Sequence, residues 1–533
     1  MTRSSRIPVR CAGTLVPLFS ISSETSWGIG EIADLPRLAS WCAKAGLSFV
    51  QLLPIHEMPE HETSPYSALS AMAIDPQFIA LSQVEDFEAL GGEPGLAEEE
   101  RRHLDDARDA SRVAYDVVRR LKARVLRRCF DRFVTNEIAA CSHRAEDFAR
   151  YVEEERWWLD DYALFRALRE QHGRVGWTEW PAPLAAREPE ALNEARRTLA
   201  SEMRYRQYLQ WIADGQWSEA RRACGAVELF GDLPFMVGTD SADVWSRQSM
   251  FDRTVSVGVP PDAFSETGQD WQLPLYRWDA MEAEDFGWLR ARARRYAALY
   301  SGYRIDHLVG FYRTYYRPRD GSSAAFSPPT EDAQTRLGEQ VLAIFAGTGA
   351  RVIAEDLGVI PDFVRASLDR LQLPGYKVFR WEREWHQEGQ PFKDPVDYAR
   401  TSVATSGTHD TEPMALWWEG ASVEERGAVL ATPSVRRRLG NGDAQVARDT
   451  GQLTPALHAA LLEVLYASGS DLLILPIQDA FNWRDRINQP ATIGPANWTW
   501  RLPWPVERLR TQPEGVAVAR GLRSWAERHH RLP

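Results

Sequence analysis

Three acidic residues stand at the ends of apolar runs: Asp306 in Gly302-Tyr303-Arg304-Ile305-Asp306-His307, Glu355 in Arg351-Val352-Ile353-Ala354-Glu355-Asp356, and Asp410 in Ser406-Gly407-Thr408-His409-Asp410. A carboxylate at the C-terminal end of a barrel strand faces the mouth of the barrel, where TIM-barrel enzymes hold their chemistry. Three of them suit a nucleophile, an acid/base and a transition-state stabiliser acting on a glycosidic bond. Residues two apart in a strand share a face, so the Arg304 guanidinium lies beside Asp306 and favours the anion that attacks an anomeric carbon. Glu355 must instead carry a proton to the leaving oxygen, and like-charge repulsion from Asp356 or Asp410 is expected to raise its pKa. Asp410 would accept hydrogen bonds from sugar hydroxyls and stabilise an oxocarbenium-like transition state, with His307 and His409 as further hydroxyl partners. A single such acid is as well explained by an ion pair at a strand end; three together favour a site. A magnesium or manganese centre is the other chemistry these residue types allow, and Arg304 beside Asp306 speaks against a cation there.

Eight apolar runs of strand length predict the elements that hold these groups: 13–19, 48–54, 227–235, 302–306, 351–356, 375–380, 402–408 and 471–477. Helical patterns follow several of them, as at 32–45 and 361–371, which is the alternation of a parallel α/β sheet. The expected fold is therefore one catalytic domain over residues 1–533, a (β/α)₈ TIM barrel with helical insertions between strands. Residues 82–226 read as a mostly helical insertion after the second strand, with helical spacing at 101–132 and 153–170. Residues 412–468 read as a second insertion after the seventh strand, with a helix at 455–467. Between them, 255–276 is broken by Gly258, Pro260, Pro261, Gly268 and Pro274 and reads as a long active-site loop.

The setting follows from composition. With 63 basic and 75 acidic residues the net charge is −12, which gives no overall attraction to nucleic acid. Five scattered cysteines with no CxxC pair argue against a disulfide framework and a zinc site, and for a reducing cytoplasmic compartment. No apolar stretch approaches the ~18 residues of a membrane span, and the first eleven residues do not read as a secretion signal. The 21 tryptophans exceed what packing alone asks of a chain this size, and indole faces stack on sugar rings.

The blocks around the three acids resemble those of the 4-α-glucanotransferases, also called amylomaltases or disproportionating enzymes, which are relatives of the α-amylases. The resemblance continues through Gly231-Asp232-Leu233-Pro234, Asp240 to Trp245, Gly258 to Asp262, Gly268 to Trp271, Pro274-Leu275-Tyr276, Trp158 to Phe165, Ser64-Pro65-Tyr66-Ser67 and Asn497 to Leu502, in the family's order. It implies a (β/α)₈ barrel without an obligatory cofactor or metal. It also implies transfer of an α-1,4-glucan segment from a donor maltooligosaccharide to the 4-hydroxyl of an acceptor glucose or glucan by a retaining double displacement. By the same resemblance Asp306 is the nucleophile, Glu355 the acid/base and Asp410 the stabiliser. Arg304, His307, Asp232, Asp356, His409, Trp271 and Asn497 then surround the donor sugar or its neighbours, and Ser64 and Tyr66 lie near the glucan path. The alternatives are an α-glucan hydrolase on the same scaffold and a non-catalytic glucan-binding or regulatory protein. The chain departs from the pattern at Gln272 and Leu273, usually Gly-Asn, at Ala263, usually Tyr, at Ile74-Asp75, again usually Gly-Asn, and at Ser67, usually Gln. These positions bear on acceptor binding, chain length and the balance of transfer against hydrolysis.

Overall fold

A computed structural model describes residues 9–261, 268–490, 492 and 494–533. Its twelve strands are β1 (Cys11–Leu15), β2 (Phe49–Gln51), β3 (Glu228–Pro234), β4 (Phe251–Val259), β5 (Gln269–Tyr276), β6 (Gly302–Asp306), β7 (Thr314–Pro318), β8 (Ala325–Ser327), β9 (Arg351–Ala354), β10 (Gly375–Val378), β11 (Ser402–Thr405) and β12 (Leu472–Pro476). Eight of them close a barrel in the order β1-β12-β11-β10-β9-β6-β3-β2, all neighbours parallel. Seven of the eight expected runs contain one of these strands; the first, 13–19, starts two residues late and shares only 13–15 with β1.

Strand alternation sets the layers of the interior. Phe49 and Phe230 stack at 4.3 Å between ring centroids, and the neighbouring strands supply glycine beside them. A Cβ on Gly13 would lie 2.4 Å from the Phe49 ring, and one on Gly302 2.7 Å from the Phe230 ring. Two residues on, on the same face, Asp232 pairs in register with Arg304; one step higher Pro234 pairs with Asp306. The charged layer thus sits directly above an apolar plug, at the strands' C-terminal ends.

Helices surround the barrel. Between β2 and β3 the chain is helical, including Glu98–Asp109, Tyr115–Arg132, His143–Glu154, Arg156–Gln171 and Ala200–Ala223. The helical reading of 101–132 is interrupted at 110–114, and the next at Glu155. The helix Tyr115–Arg132 is fastened to the barrel side by Lys122, which is fully buried and donates to Glu31 (2.5 Å) and to the carbonyls of Gln77 (2.7 Å) and Ile79 (2.8 Å). A buried ammonium is tolerated only with such complete pairing. Five helices from Met414–Gly420 to Pro455–Tyr466 separate β11 from β12. Among the described residues no helix is long and apolar enough to cross a membrane.

The seam between β1 and β12 is stitched from the far end of the chain. Arg531, 0% exposed, donates to the carbonyls of Cys11 (3.3 Å), Tyr466 (2.7 Å), Ser470 (2.7 Å) and Asp471 (3.0 Å). Burial pushes its guanidinium down to about 9.

The stretch expected as a loop is instead part of a second sheet. Strands β4 and β5 pair antiparallel, and with β7 and β8 form a four-stranded sheet in the order β5-β4-β7-β8. Of the glycines and prolines that suggest a loop, Gly258 and Pro274 fall at register shifts between β4 and β5, whereas Pro260, Pro261 and Gly268 lie outside the two strands; a Cβ on Gly258 would lie 1.9 Å from the Gln269 carbonyl. Asp262 and Ala263 lie outside the described residues.

Candidate active site

One guanidinium organises the mouth of the barrel. Arg304, 5% exposed, donates through Nη1 to both oxygens of Asp232 at 2.9 Å, and its Nη2 lies 2.6 Å from Asp306 Oδ1 and 3.9 Å from Glu355 Oε2. One nitrogen thus serves both oxygens of Asp232 while the other serves Asp306, a splayed fork of donors that arginine offers and lysine does not. Asp232 itself is 0% exposed, and desolvation raises its carboxyl against the pull of Arg304.

Glu355 follows β9 directly and is held by the backbone. Its Oε2 accepts from the His307 N–H (2.7 Å) and its Oε1 from the Leu357 N–H (2.9 Å). His307 reaches that position because β6 ends in a left-handed residue, His307 at φ +44°, which turns the amide toward β9. Burial pushes the Glu355 carboxyl up to about 7, opposed by Arg304 and aided by Asp306. The sequence had pointed to Asp356 or Asp410 as the repelling neighbour. Asp356 instead turns away: its Oδ1 accepts from the Tyr376 N–H (2.7 Å) and its Oδ2 lies 3.6 Å from Arg365 Nη1.

Asp410 lies in the turn beyond β11 rather than at the strand end. Its Oδ1 accepts from Asn488 Nδ2 (2.6 Å), its backbone carbonyl from Arg486 (3.1 Å), and its Oδ2 lies 3.3 Å from His409 Nε2. Burial works against the Asp410 anion, yet His409, Asn488 and Arg304 together hold its carboxyl well below the usual carboxylate range. The same pairing raises the His409 imidazole above its ordinary value despite desolvation. Tyr66 closes the ring of contacts, with its hydroxyl donating to Asp232 Oδ2 (2.7 Å) and lying 3.0 Å from His409 Nε2. A continuous path of polar contacts therefore runs from Asp410 through His409, Tyr66, Asp232 and Arg304 to Asp306 and Glu355.

Side-chain exposure rises toward the mouth, from 11% at Glu355 to 27% at Asp306 and 42% at Asp410. On one side the hairpin β4–β5 brings Trp271 against His307, edge-on at 4.9 Å between centroids, with Phe235 5.1 Å from His307. Burial pushes the His307 imidazole down to about 4, so it enters this aromatic contact uncharged.

Three expected site residues are not joined to this cluster. Asp356 serves β10 as described. Asn497 is committed to its own loop, donating to the Thr492 carbonyl (3.0 Å) and accepting from the Gln489 N–H (3.1 Å). Ser64 forms the turn that presents Tyr66: its carbonyl accepts from the Ser67 N–H (3.1 Å) and its hydroxyl from the Tyr66 N–H (3.4 Å). Two members of the cluster escaped the sequence reading, Asn488 and Trp498. Trp498, at φ +62°, sets its ring 5.7 Å from Tyr66 and 5.8 Å from His409.

The chain matches the 4-alpha-glucanotransferase family over residues 16–507. It is 31% identical to the 4-alpha-glucanotransferase of Chlamydia pneumoniae, over 93% of this chain and 92% of that one. The chain belongs to the 4-alpha-glucanotransferase family. The enzyme of that name from Thermus thermophilus is 33% identical over 89% of this chain and 92% of its own. The amylomaltase of Streptococcus agalactiae, solved in complex with acarbose, superposes with a TM-score of 0.81 over 98% of this chain and 100% of that chain, at 24% identity, and so shares the fold. Two departures from the 4-alpha-glucanotransferase pattern have structural readings. Gln272, at a position where the resemblance implies Gly, sits at φ +57°, a left-handed conformation that suits glycine. Asp75, at a position where the resemblance implies Asn, caps the turn at Pro76 by accepting from the N–H groups of Met58 (3.1 Å) and Gln77 (3.0 Å), and burial pushes its carboxyl up to about 6.

Proposed function

We propose that Asp306 is the nucleophile, Glu355 the acid/base and Asp410 the stabiliser of a retaining glucan transfer. Transfer among α-1,4-glucans is the activity of the family; the assignment of roles rests on the contrasting surroundings of the acids. Asp306 is ion-paired to Arg304 at 2.6 Å and partly exposed, whereas Glu355 is buried and its carboxyl is pushed up to about 7; two carboxylates in such contrasting surroundings suit nucleophile and acid. Their oxygens share one guanidinium nitrogen at 2.6 and 3.9 Å. They are thus no farther apart than those distances combined, compatible with the ~5–5.5 Å of retaining enzymes and short of nearly all the ~6.5–9.5 Å that admits a water.

In the first half Asp306 Oδ2 attacks the anomeric carbon of the donor while the bond to the 4-oxygen of the departing chain breaks, and Glu355 gives that oxygen its proton. The two backbone amides on Glu355 then stabilise the resulting anion. In the second half Glu355 takes the proton from the 4-hydroxyl of an acceptor glucose or glucan, whose oxygen attacks the same carbon and releases Asp306. Asp410 stabilises the positive charge that develops on the sugar in both halves. Trp271 and Phe235 pack on His307, the residue after Asp306, and rings at that place would limit the access of water, which supports transfer over hydrolysis. Donors are maltooligosaccharides, and glucose is a small product or acceptor. The five free cysteines, four of them buried, support a cytoplasmic setting.

Incubation with maltotriose alone should give longer maltooligosaccharides and free glucose. Maltose and glucose without that ladder would instead establish a hydrolase. Asp306→Asn should abolish both, and a residual rate above about a hundredth of wild type would remove Asp306 as nucleophile, because acid–base assistance alone supplies roughly 10²–10⁴.

A further inference from the structure

A cavity of about 820 Å³ lies between the helices Tyr115–Arg132, Arg156–Gln171 and Ala200–Ala223 and the segments 57–61 and 75–77. None of Asp232, Arg304, Asp306, Glu355 or Asp410 lines it. Nine basic and six acidic side chains form its wall, a positive balance on a chain whose net charge is −12.

The acids of this wall are largely engaged. Glu57 is held by Tyr162 (2.5 Å) and Arg166 (3.1 Å), Glu100 by Arg128 (2.9 Å) and Glu170 by Arg174 (3.0 Å). Several cations are not matched in this way. Arg119 donates to the backbone carbonyls of Glu60 (2.6 Å) and Glu62 (2.7 Å), and among the described residues neither Arg120 nor Arg124 has an ion-pair partner. Arg120, Arg124 and Arg128 stand at i, i+4 and i+8 of one helix, a like-charge stripe that opposes the helix; Arg128 answers Glu100, which leaves Arg120 and Arg124 to face the cavity.

Two buried side chains in the same wall keep polar atoms without partners. Arg166 is 4% exposed, and its Nε and Nη1 have no hydrogen-bond acceptor; Gln77 is 3% exposed, and its Oε1 has no donor. Buried polar atoms are nearly always satisfied, and exceptions call for an explanation. Together they ask for an anion with several oxygens to meet the guanidinium groups and for a hydroxyl to meet the amide oxygen. A neutral glucan would need open ring faces, and Tyr205 is already covered by the Arg127 guanidinium 3.5 Å from its centroid.

We propose that this cavity binds a small phosphorylated sugar, its phosphate taken by Arg119, Arg120, Arg124 and Arg166 and a hydroxyl directed to Gln77. Arginine suits phosphate through its planar fork of donors. The site is separate from the glucan-transfer centre and does not depend on that activity.

The test uses the full chain as Asp306→Asn, titrated calorimetrically with glucose 6-phosphate at constant ionic strength. Saturable binding is expected, weakened at least tenfold by Arg120→Ala together with Arg124→Ala, two exposed positions whose replacement should leave disproportionation of maltotriose in the otherwise wild-type enzyme unchanged. Arg510→Ala with Arg523→Ala, remote and of equal charge change, should leave the affinity as it was. No saturable binding, equal loss in both double variants, or equal binding of maltose would overturn the proposal.

Discussion

Replacing Arg304 by lysine keeps the charge and removes the fork, which separates the two things this residue does. In the structure it makes three short charge-assisted bonds, two to Asp232 at 2.9 Å and one to Asp306 at 2.6 Å. A single ammonium can satisfy one carboxylate and must leave the other. Hydrogen bonds to charged groups are worth about 1.5–3 kcal/mol each, so losing two costs ~3–6 kcal/mol. If that loss falls on the transition state, kcat/KM drops by about 10²–10⁴. The ground state suffers as well, because Asp232 is wholly buried and breaking a buried pair costs about 3–5 kcal/mol; with ~2.1 cal/mol/K of unfolding entropy per residue this lowers Tm by roughly 3–4 °C. The assay is the initial rate of glucose release from maltotriose across substrate concentrations, alongside a thermal scan. A lysine variant within tenfold of wild-type kcat/KM would refute the argument, since charge alone would then be sufficient.

The alkaline limb of the pH profile should fall near pH 7, because Glu355 works protonated and its carboxyl is pushed up to about 7; kcat/KM should decline about tenfold per pH unit above it, and a plateau extending to pH 9 would remove Glu355 as the acid. Asn488→Ala should lower kcat about 10- to 100-fold with a smaller change in KM, since it frees Asp410 Oδ1 from a 2.6 Å bond equivalent to about 1.5–3 kcal/mol; an effect on KM alone would make Asn488 a binding residue. Gln272→Gly should raise Tm by about 1 °C by relieving the left-handed backbone, whereas Gln272→Val should lower it, and equal shifts from both would show that the conformation carries no strain.

How far the sequence reached depended on whether a signal was local. The run 302–306 coincides with β6, and its alternation alone placed Arg304 and Asp306 on one face. The same rule read with parity would have turned Asp356 away from its neighbour Glu355. Asp410 was found through its motif although its backbone had already left the strand. The hairpin β4–β5 was misread because its glycines serve bulges and close strand contacts, which resemble loop punctuation in one dimension. Asn488 had no local signal: it meets Asp410 across 78 positions of chain. Tryptophan content was a weak guide, as thirteen of the 21 are buried, among them Trp27, Trp41, Trp217, Trp245 and Trp418 in the interior.

The seam joining β1 to β12 constrains how the molecule comes into being. Arg531 and the Cys11 carbonyl meet across 520 positions, so the strand that leaves the ribosome first waits for the last of the eight before its open edge is paired. At roughly 5–20 residues per second that wait is at least tens of seconds, long for an apolar edge able to template intermolecular pairing. During it β1 can lean on β2, and the helices between β2 and β3 can form from local contacts, but closure of the cylinder is necessarily a late, long-range event. The folding half-time, not equilibrium stability, should therefore be the quantity most sensitive to changes at Arg531, and crowding by nascent copies of the chain the condition under which such changes are felt.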